Sequence, residues 1–182
     1  MIQAGSMGVP FIPTQGFAGS DVLRRRQDDF KIIPNPWNPD EMLILAKAIT
    51  PDVGIFHGLK ADRRGNVLLR KGGEELMLAQ ASKKVIITVE EIVDEVNPEE
   101  ASACFIPALH VTAVVHAPFG AYPTGAPDYY QADREQIQQY VKASMSDDAF
   151  AAYLDRYVFA PASHEAYLEL LGLERVREVV AL

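Results

Sequence analysis

The side chains able to do chemistry on their own are few: His57, His110, His116 and His164, the single cysteine Cys104, and the adjacent pair Glu90-Glu91. The histidines show neither His-x-His nor His-Glu-x-x-His spacing, so they read as hydrogen-bonded residues near strand ends, and no metal site is expected. Glu90 and Glu91 close an apolar run. In a strand, neighbouring residues face opposite ways and cannot work as an acid and base pair; at a helix start they would complement its dipole. Either way the expected role is structural. Cys104 sits beside Phe105 and Ile106 like a small hydrophobe, and no Gly-x-Ser-x-Gly elbow is present, which disfavours a self-sufficient hydrolase.

Three loops could hold a ligand. Gln15-Gly16-Phe17-Ala18-Gly19-Ser20-Asp21 follows a strand and precedes a short helix over Val22 to Arg26. Backbone amides at such a junction can face an anion or oxyanion, but Ser20 or Asp21 capping the helix accounts for it equally well. It matches neither a P-loop nor a dinucleotide fingerprint. Pro51 through Val67 is a strand ending at His57 followed by a polar segment. It is either a strand-end ligand loop or a hairpin closed by Gly65-Asn66, with Asp62 and Arg63 as a surface ion pair. His116-Ala117-Pro118-Phe119-Gly120-Ala121-Tyr122-Pro123 either lines an apolar acyl pocket or packs its two aromatics into the core.

These loops need a scaffold. Residues 1 to about 130 hold 11 of the 12 prolines and 11 of the 12 glycines, between short β-branched runs. Strands are expected at Val9–Pro13, Phe30–Ile33, Val53–His57, Val85–Val89 and Thr112–His116. The last three are continuous apolar runs, which implies burial on both faces of a largely parallel sheet. Glu74 to Ser82 is helix-compatible and leads into Val85. From Asp133 onward the period turns helical: Ile137, Tyr140, Val141 and Met145 share a face, Ser146 caps Asp147 to Tyr157, Ser163 opens a helix ended by Gly172, and Leu173 to Val180 supplies the last. The expected fold is a single α/β domain over 1–182, with a largely parallel sheet covered by helices: a sheet-rich part over 1–130 and a helical part over 131–182.

Composition narrows the function classes. The chain has 182 residues, of which 48% are hydrophobic and 23% charged, so it has ample material for one core. With 17 Lys and Arg against 25 Asp and Glu, the net charge is −8 and repels phosphate backbones, so nucleic acid is not an expected partner. A single cysteine allows no internal disulfide and no multi-cysteine zinc site. No apolar stretch approaches the ~20 residues of a membrane span. The first basic residue is Arg24, after Pro10 and Pro13, unlike a signal peptide. A cytoplasmic protein is expected.

Taken in order, Gly8-Val9-Pro10-Phe11-Ile12-Pro13, Gly16 to Asp21, Pro51 through His57, Ala61-Asp62-Arg63 with Gly65-Asn66-Val67, Val85 to Val93, and Val114 to Pro123 with Tyr129-Tyr130 resemble the α subunit of family I coenzyme A transferases, the glutaconate CoA-transferase type in particular. Chains of that family begin with a long segment carrying a Gly-rich loop, and Met1 falls well inside the pattern. The resemblance implies a hetero-oligomer in which an acyl-CoA thioester is attacked by a glutamate of the β subunit, while the α subunit lines the shared cleft. It therefore implies no catalytic nucleophile in this chain. It also implies a coenzyme A thioester and a small carboxylic acid as substrates, and no permanently bound cofactor. Gly16, Gly19, Ser20 and Asp21 on one loop, and Phe119, Gly120 and Ala121 on another, are the residues expected to bind substrate. Two other readings keep the sequence features: a chain of the same fold that opens a cyclic CoA ester by adding water, and a non-catalytic ligand-sensing or assembly module.

Overall fold

The computed structural model of the chain describes residues 1–70, 73–99, 103–126 and 128–172. A short helix, α1 (Ile2–Ser6), precedes an antiparallel three-stranded sheet. Its strands are β1 (Phe11–Thr14), β2 (Phe30–Asn35) and β3 (Asn38–Lys47), in the order β1-β3-β2, with helix α2 (Asp21–Arg25) between β1 and β2. A five-stranded sheet follows, built from β4 (Gly54–Asp62), β5 (Val67–Arg70), β6 (Val85–Val93), β7 (Ala103–Ile106) and β8 (Ala113–His116), in the order β7-β5-β4-β6-β8. Helix α3 (Glu75–Ala81) joins β5 to β6. Helices α4 (Arg134–Ala143), α5 (Asp147–Leu154) and α6 (His164–Leu171) close the described chain, with a π-helical turn at Asp155–Phe159 extending α5.

The α/β class is as expected, and the sheet is mixed. β4 pairs with β6 and β6 with β8 in parallel, whereas β5 runs antiparallel to both β4 and β7. The Gly65-Asn66 segment is the hairpin turn between β4 and β5. The surface ion pair expected there is replaced by something tighter. The Asp62 carboxylate is buried and accepts the Arg64 N–H, the Asn66 N–H and the Asn66 Nδ2–H at 2.8–3.0 Å. Burial pushes this carboxyl up, and the donors more than offset it, so it lies below the usual aspartate value. The Asn66 carbonyl Oδ1 in turn accepts the Ala108 N–H at 3.0 Å, fastening the segment before β8 to the hairpin.

One core lies on a single face of the larger sheet. Val85, Ile87 and Val89 of β6 pack with Ala61, Val67, Leu69 and Ile106, and α3 covers them with Ala79 and Leu76. The opposite face corrects the expectation that the last three apolar runs are buried on both sides. Ile55, Ile86 and Ala113 stand in register across β4, β6 and β8, and Ile55 is 70% exposed. On β8, Ala113, Val115 and His116 are exposed and only Val114 reaches the core. A continuous apolar run measures how much hydrophobic material a strand carries, not whether its second face is covered.

The sequence pattern marks only part of the three-stranded sheet. β3 escapes it because Pro36, Trp37 and Pro39 break up its start, and β7 of the larger sheet escapes it because it is short. The two sheets meet at a seam where α1 lies between α3 and the segment after β3. A Cβ on Gly5 would stand 2.2 Å from the Ile49 carbonyl oxygen and 3.1 Å from Ala81 Cβ, so only glycine permits this approach. The expected caps form: Ser146 accepts the Ala149 N–H and Ser163 the Ala166 N–H, while Gly172 has φ of +87°. Leu173 to Val180 lies outside the described residues.

Ile87, with no exposed surface, is the measure of this core. Ile87→Ala is expected to lower unfolding stability by about 2–5 kcal/mol, read as a fall in the urea midpoint with an unchanged slope.

Candidate functional site

The carboxyl ends of parallel strands are where α/β sheets present ligand loops. Here β8 ends at His116, but the strand expected to end at His57 runs on to Asp62 and β6 to Val93, and one polar constellation lies where β8 stops and the two longer strands continue. His57 on β4, Thr88 and Glu90 on β6, and the loop from Ala117 to Tyr130 meet there. The parallel register sets His57 opposite Thr88, which leaves Glu90 two residues further along on the same face as Thr88. Glu90 is buried and Glu91 exposed, as alternation along a strand requires.

Glu90 is saturated with donors. Oε1 accepts from His57 Nε2 at 2.5 Å and from the Tyr130 hydroxyl at 2.7 Å, while Oε2 accepts the Phe119 N–H at 2.7 Å. Burial raises its pKa, and the bonds from His57, Phe119 and Tyr130 outweigh burial, so Glu90 stays below the ordinary glutamate value and ionised. An ionised carboxylate only accepts, which fixes a proton on His57 Nε2. Thr88 Oγ1 closes the other ring nitrogen, Nδ1, at 2.8 Å. Burial and then the bond to Glu90 push the Tyr130 hydroxyl well above the usual tyrosine value, so it remains a donor. The neighbouring pair works on the other face: the Tyr129 hydroxyl donates to Glu91 at 3.0 Å.

This carboxylate shapes the loop. Phe119 has φ of +61°, a left-handed conformation costing a β-carbon residue roughly 1 kcal/mol or more. Its N–H bond to Glu90 and its ring contact with Tyr130, centroids 4.9 Å apart, hold it there. A Cβ on Gly120 would come within 2.7 Å of His57 Cε1 and 2.8 Å of the Ala117 carbonyl, so this position admits only glycine. From the outer side, α6 packs Tyr167 and Leu171 on the loop, and His164 Nε2 donates to the Pro118 carbonyl at 2.6 Å. The Tyr122 hydroxyl donates to Asp133, the N-cap of α4, at 2.6 Å.

The expected substrate-binding residues occupy two separate places. Phe119, Gly120 and Ala121 lie on the loop just described, and all three amides are engaged: by Glu90, by the Ala117 carbonyl and by the Tyr130 hydroxyl. Gly16, Gly19, Ser20 and Asp21 lie on the loop after β1, on the smaller sheet. There the Gly16 N–H donates to Thr14 Oγ1, the Ser20 hydroxyl turns back to the Phe17 carbonyl instead of capping α2, and Asp21 pairs with Arg24. Among the described residues no hydrogen bond or ring contact joins the two loops. The sequence marks Tyr129-Tyr130 only as part of the family pattern, and assigns no role to Tyr130 and no pairing of His57 with Glu90. The one available signal is the doublet Tyr129-Tyr130 matching the doublet Glu90-Glu91, each splitting to opposite faces.

Comparison with known proteins agrees with this fold. The family described as coenzyme A transferase matches residues 1–117. The chain is 37% identical over 156 residues to the A chain of a 3-oxoadipate CoA-transferase from Pseudomonas knackmussii, covering 85% of this chain and 54% of that one. It is 32% identical over 192 residues to the corresponding chain of glutaconate CoA-transferase from Acidaminococcus fermentans, covering 97% and 60%. The crystal structure of that glutaconate enzyme superposes with a TM-score of 0.87 at 30% identity, over 98% of this chain and 61% of that one. A more distant relative, at 27% identity and covering 86% and 56%, is named cholesterol ring-cleaving hydrolase IpdA subunit, from Rhodococcus jostii. The chain thus spans between half and two thirds of the length of these relatives.

Glu90→Ala leaves His57 and the Phe119 amide buried without their partner and should cost about 3–5 kcal/mol. Glu90→Gln isolates the charge. Because folding lowers this pKa, its contribution is present above the ordinary value of 4.5 and is lost as pH falls through the lowered value. The stability gap between wild type and Glu90→Gln should therefore be full at neutral pH and shrink below pH 4.5, as read by urea titrations across pH.

Proposed function

We propose that this chain, which belongs to the coenzyme A transferase family, supplies one wall of a catalytic cleft that moves coenzyme A between an acyl-CoA and a carboxylic acid, and that the reactive carboxylate comes from a β partner. The observation that carries the division of labour is the state of the buried carboxylates. Attack on a thioester needs a carboxylate oxygen free to approach the carbonyl carbon. Asp62, Glu90 and Asp133 are each held by two or more donors inside the fold. None of these three is free for covalent work; Glu75, one of whose oxygens is buried without a hydrogen bond among the described residues, stands in the first turn of α3 near Cys104 and is no part of the His57–Glu90 constellation.

In the proposed cycle the partner's glutamate adds to the thioester carbonyl and expels CoA thiolate, leaving a mixed anhydride. The thiolate then attacks the glutamyl carbonyl, releasing the first acid as its carboxylate and forming a glutamyl-CoA thioester. The acceptor acid repeats the two steps in reverse order. Nothing is oxidised or reduced. This chain's part is to bind and orient: Gly16, Gly19, Ser20 and Asp21 face the cleft from one side, and Phe119, Gly120 and Ala121 from the other. With the Phe119, Gly120 and Ala121 amides already engaged, that second loop contributes the Phe119 ring and its fixed backbone shape to the acid's apolar part. No resident cofactor takes part, and a reducing cytosol, in which Cys104 remains a thiol, is the proposed compartment.

The relative named as a ring-cleaving hydrolase supports a second reading, in which the shared cleft opens the ring of a cyclic CoA ester by adding water. One assay separates the two. The chain purified alone should turn over no thioester; mixed with a β-type partner it should exchange CoA between acids and build a borohydride-sensitive thioester on that partner. Ring opening of a cyclic CoA ester without exchange would give the second reading instead, and turnover by the chain alone would overturn both.

A further inference from the structure

A single oxygen holds the loop after β8 at two points. The Tyr130 hydroxyl donates to Glu90 Oε1 at 2.7 Å and accepts the Ala121 N–H at 3.0 Å. The residue that carries it is fixed in turn. Its main chain exchanges two bonds with Ala126, at 2.9 and 3.1 Å, and its ring lies on Phe119 with centroids 4.9 Å apart. Burial and Glu90 keep the proton on this hydroxyl, so the sense of both bonds is set: donor to the carboxylate, acceptor from the amide. Tyr130 is 4% exposed, so it acts on a ligand through the loop.

What the loop offers a ligand follows from where its polar atoms go. The Phe119 N–H is taken by Glu90, the Phe119 carbonyl by the Tyr122 N–H, and the Gly120 N–H by the Ala117 carbonyl. The Ala121 N–H is taken by Tyr130 and the Ala121 carbonyl by the Thr124 hydroxyl. Gly120, which is exposed, adds no side chain. A segment with its hydrogen-bonding groups turned inward recognises by shape, and it reads the apolar part of a substrate. Against such a wall one methylene more or less is worth about 10–200-fold in kcat/KM, provided the wall is held to within about 0.5 Å.

That rigidity is imposed from outside the segment. Phe119 holds a left-handed φ of +61°, which an unpinned β-carbon residue leaves. Two pins stand on either side of Gly120: Glu90 on the Phe119 amide and Tyr130 on the Ala121 amide. We infer that Tyr130 is a specificity-positioning residue, whose hydroxyl, joined to Glu90 and to the Ala121 amide, holds Phe119–Ala121 in the one shape by which the cleft measures the apolar part of the carboxylic acid. The inference rests on the CoA-transfer reading and names the residue that sets which acids are accepted. The oxygen can be removed alone: Tyr130→Phe keeps a ring on Phe119 and leaves Glu90 its bonds from His57 and the Phe119 amide.

The test uses the chain assembled with its β-type partner, one acyl-CoA donor, and two series of acceptor acids: acetate to hexanoate and malonate to pimelate. In the series the wild type turns over, kcat/KM should spread about tenfold or more. In Tyr130→Phe the spread should shrink by about fivefold or more, carried by KM for the acid with kcat held within about twofold, because the chemistry belongs to the partner's glutamate. Loss of folded protein lowers the turnover of every acid alike and leaves the spread as it was. Tyr129→Phe, which removes the neighbouring hydroxyl from the exposed Glu91, is the control and should keep the wild-type spread. In the full chain, hydrogen exchange at the Ala121 amide should quicken about tenfold in Tyr130→Phe, with the Phe119 amide, still held by Glu90, little changed. A wild-type spread in Tyr130→Phe overturns the inference, as does a wild type that accepts every acid equally or an Ala121 amide that exchanges no faster. A wild-type complex that exchanges no CoA at all overturns the CoA-transfer reading, and the inference with it.

Discussion

A carboxylate taken out of water must be met by donors, and Glu90 organises its end of the molecule by that demand. Its three partners come from three places in the chain: His57 on the neighbouring strand, the Phe119 amide, and Tyr130 at the far end of the same loop. A hydrophobic residue at position 90 would have placed no such requirement on the loop. With glutamate there, the loop must return to the sheet at two points eleven residues apart, and the hydrophobic cluster of Tyr122, Ala126 and Tyr130 fills the space between them. Helices α4 and α6 then attach to that loop through Asp133, His164 and Tyr167. The helical third of the chain is thus tied to the sheet largely through one ionised side chain.

Much of this fold was legible because local rules governed it. Ser146, Ser163 and Gly172 mark helix ends by backbone chemistry that acts within a turn, and Gly65-Asn66 closes a hairpin for the same kind of reason. The apolar runs at Val53, Val85 and Thr112 gave the strands, but not the open face where Ile55 stands. Whether a strand's second face is covered depends on what lies over it, and no local pattern records that. The site was less readable. His57 and Glu90 are 33 residues apart and meet only because β4 and β6 run parallel in one register, and Tyr130 arrives from 40 residues away. Glycine was informative in one respect: Gly120 sits where the His57 ring leaves no room for a side chain.

The two loops named from the sequence resolve into different kinds of object. The loop after β1 carries exposed residues, turns through bonds of its own such as the Ala18 N–H to the Gln15 carbonyl and the Ser20 N–H to the Phe17 carbonyl, and is held to the smaller sheet by the Phe17 ring on Phe30 and by Gln15 Nε2 donating to Glu41. The loop after β8 is held from inside by Glu90 and from outside by α6, and its shape belongs to the whole domain. The first is thus tied to the smaller sheet alone, whereas the second is fixed jointly by the larger sheet and the helices.

The seam at Gly5 sets how the two sheets stand to one another, and it does so by the lack of an atom. Attraction at that point is slight, for a bare Cα offers little to grip. What fixes the arrangement is that the Ile49 carbonyl already occupies the place where any side chain would go. Orientation between the halves is therefore governed by exclusion, like a key whose bitting is defined by the metal removed, and every other amino acid at this position would wedge them apart.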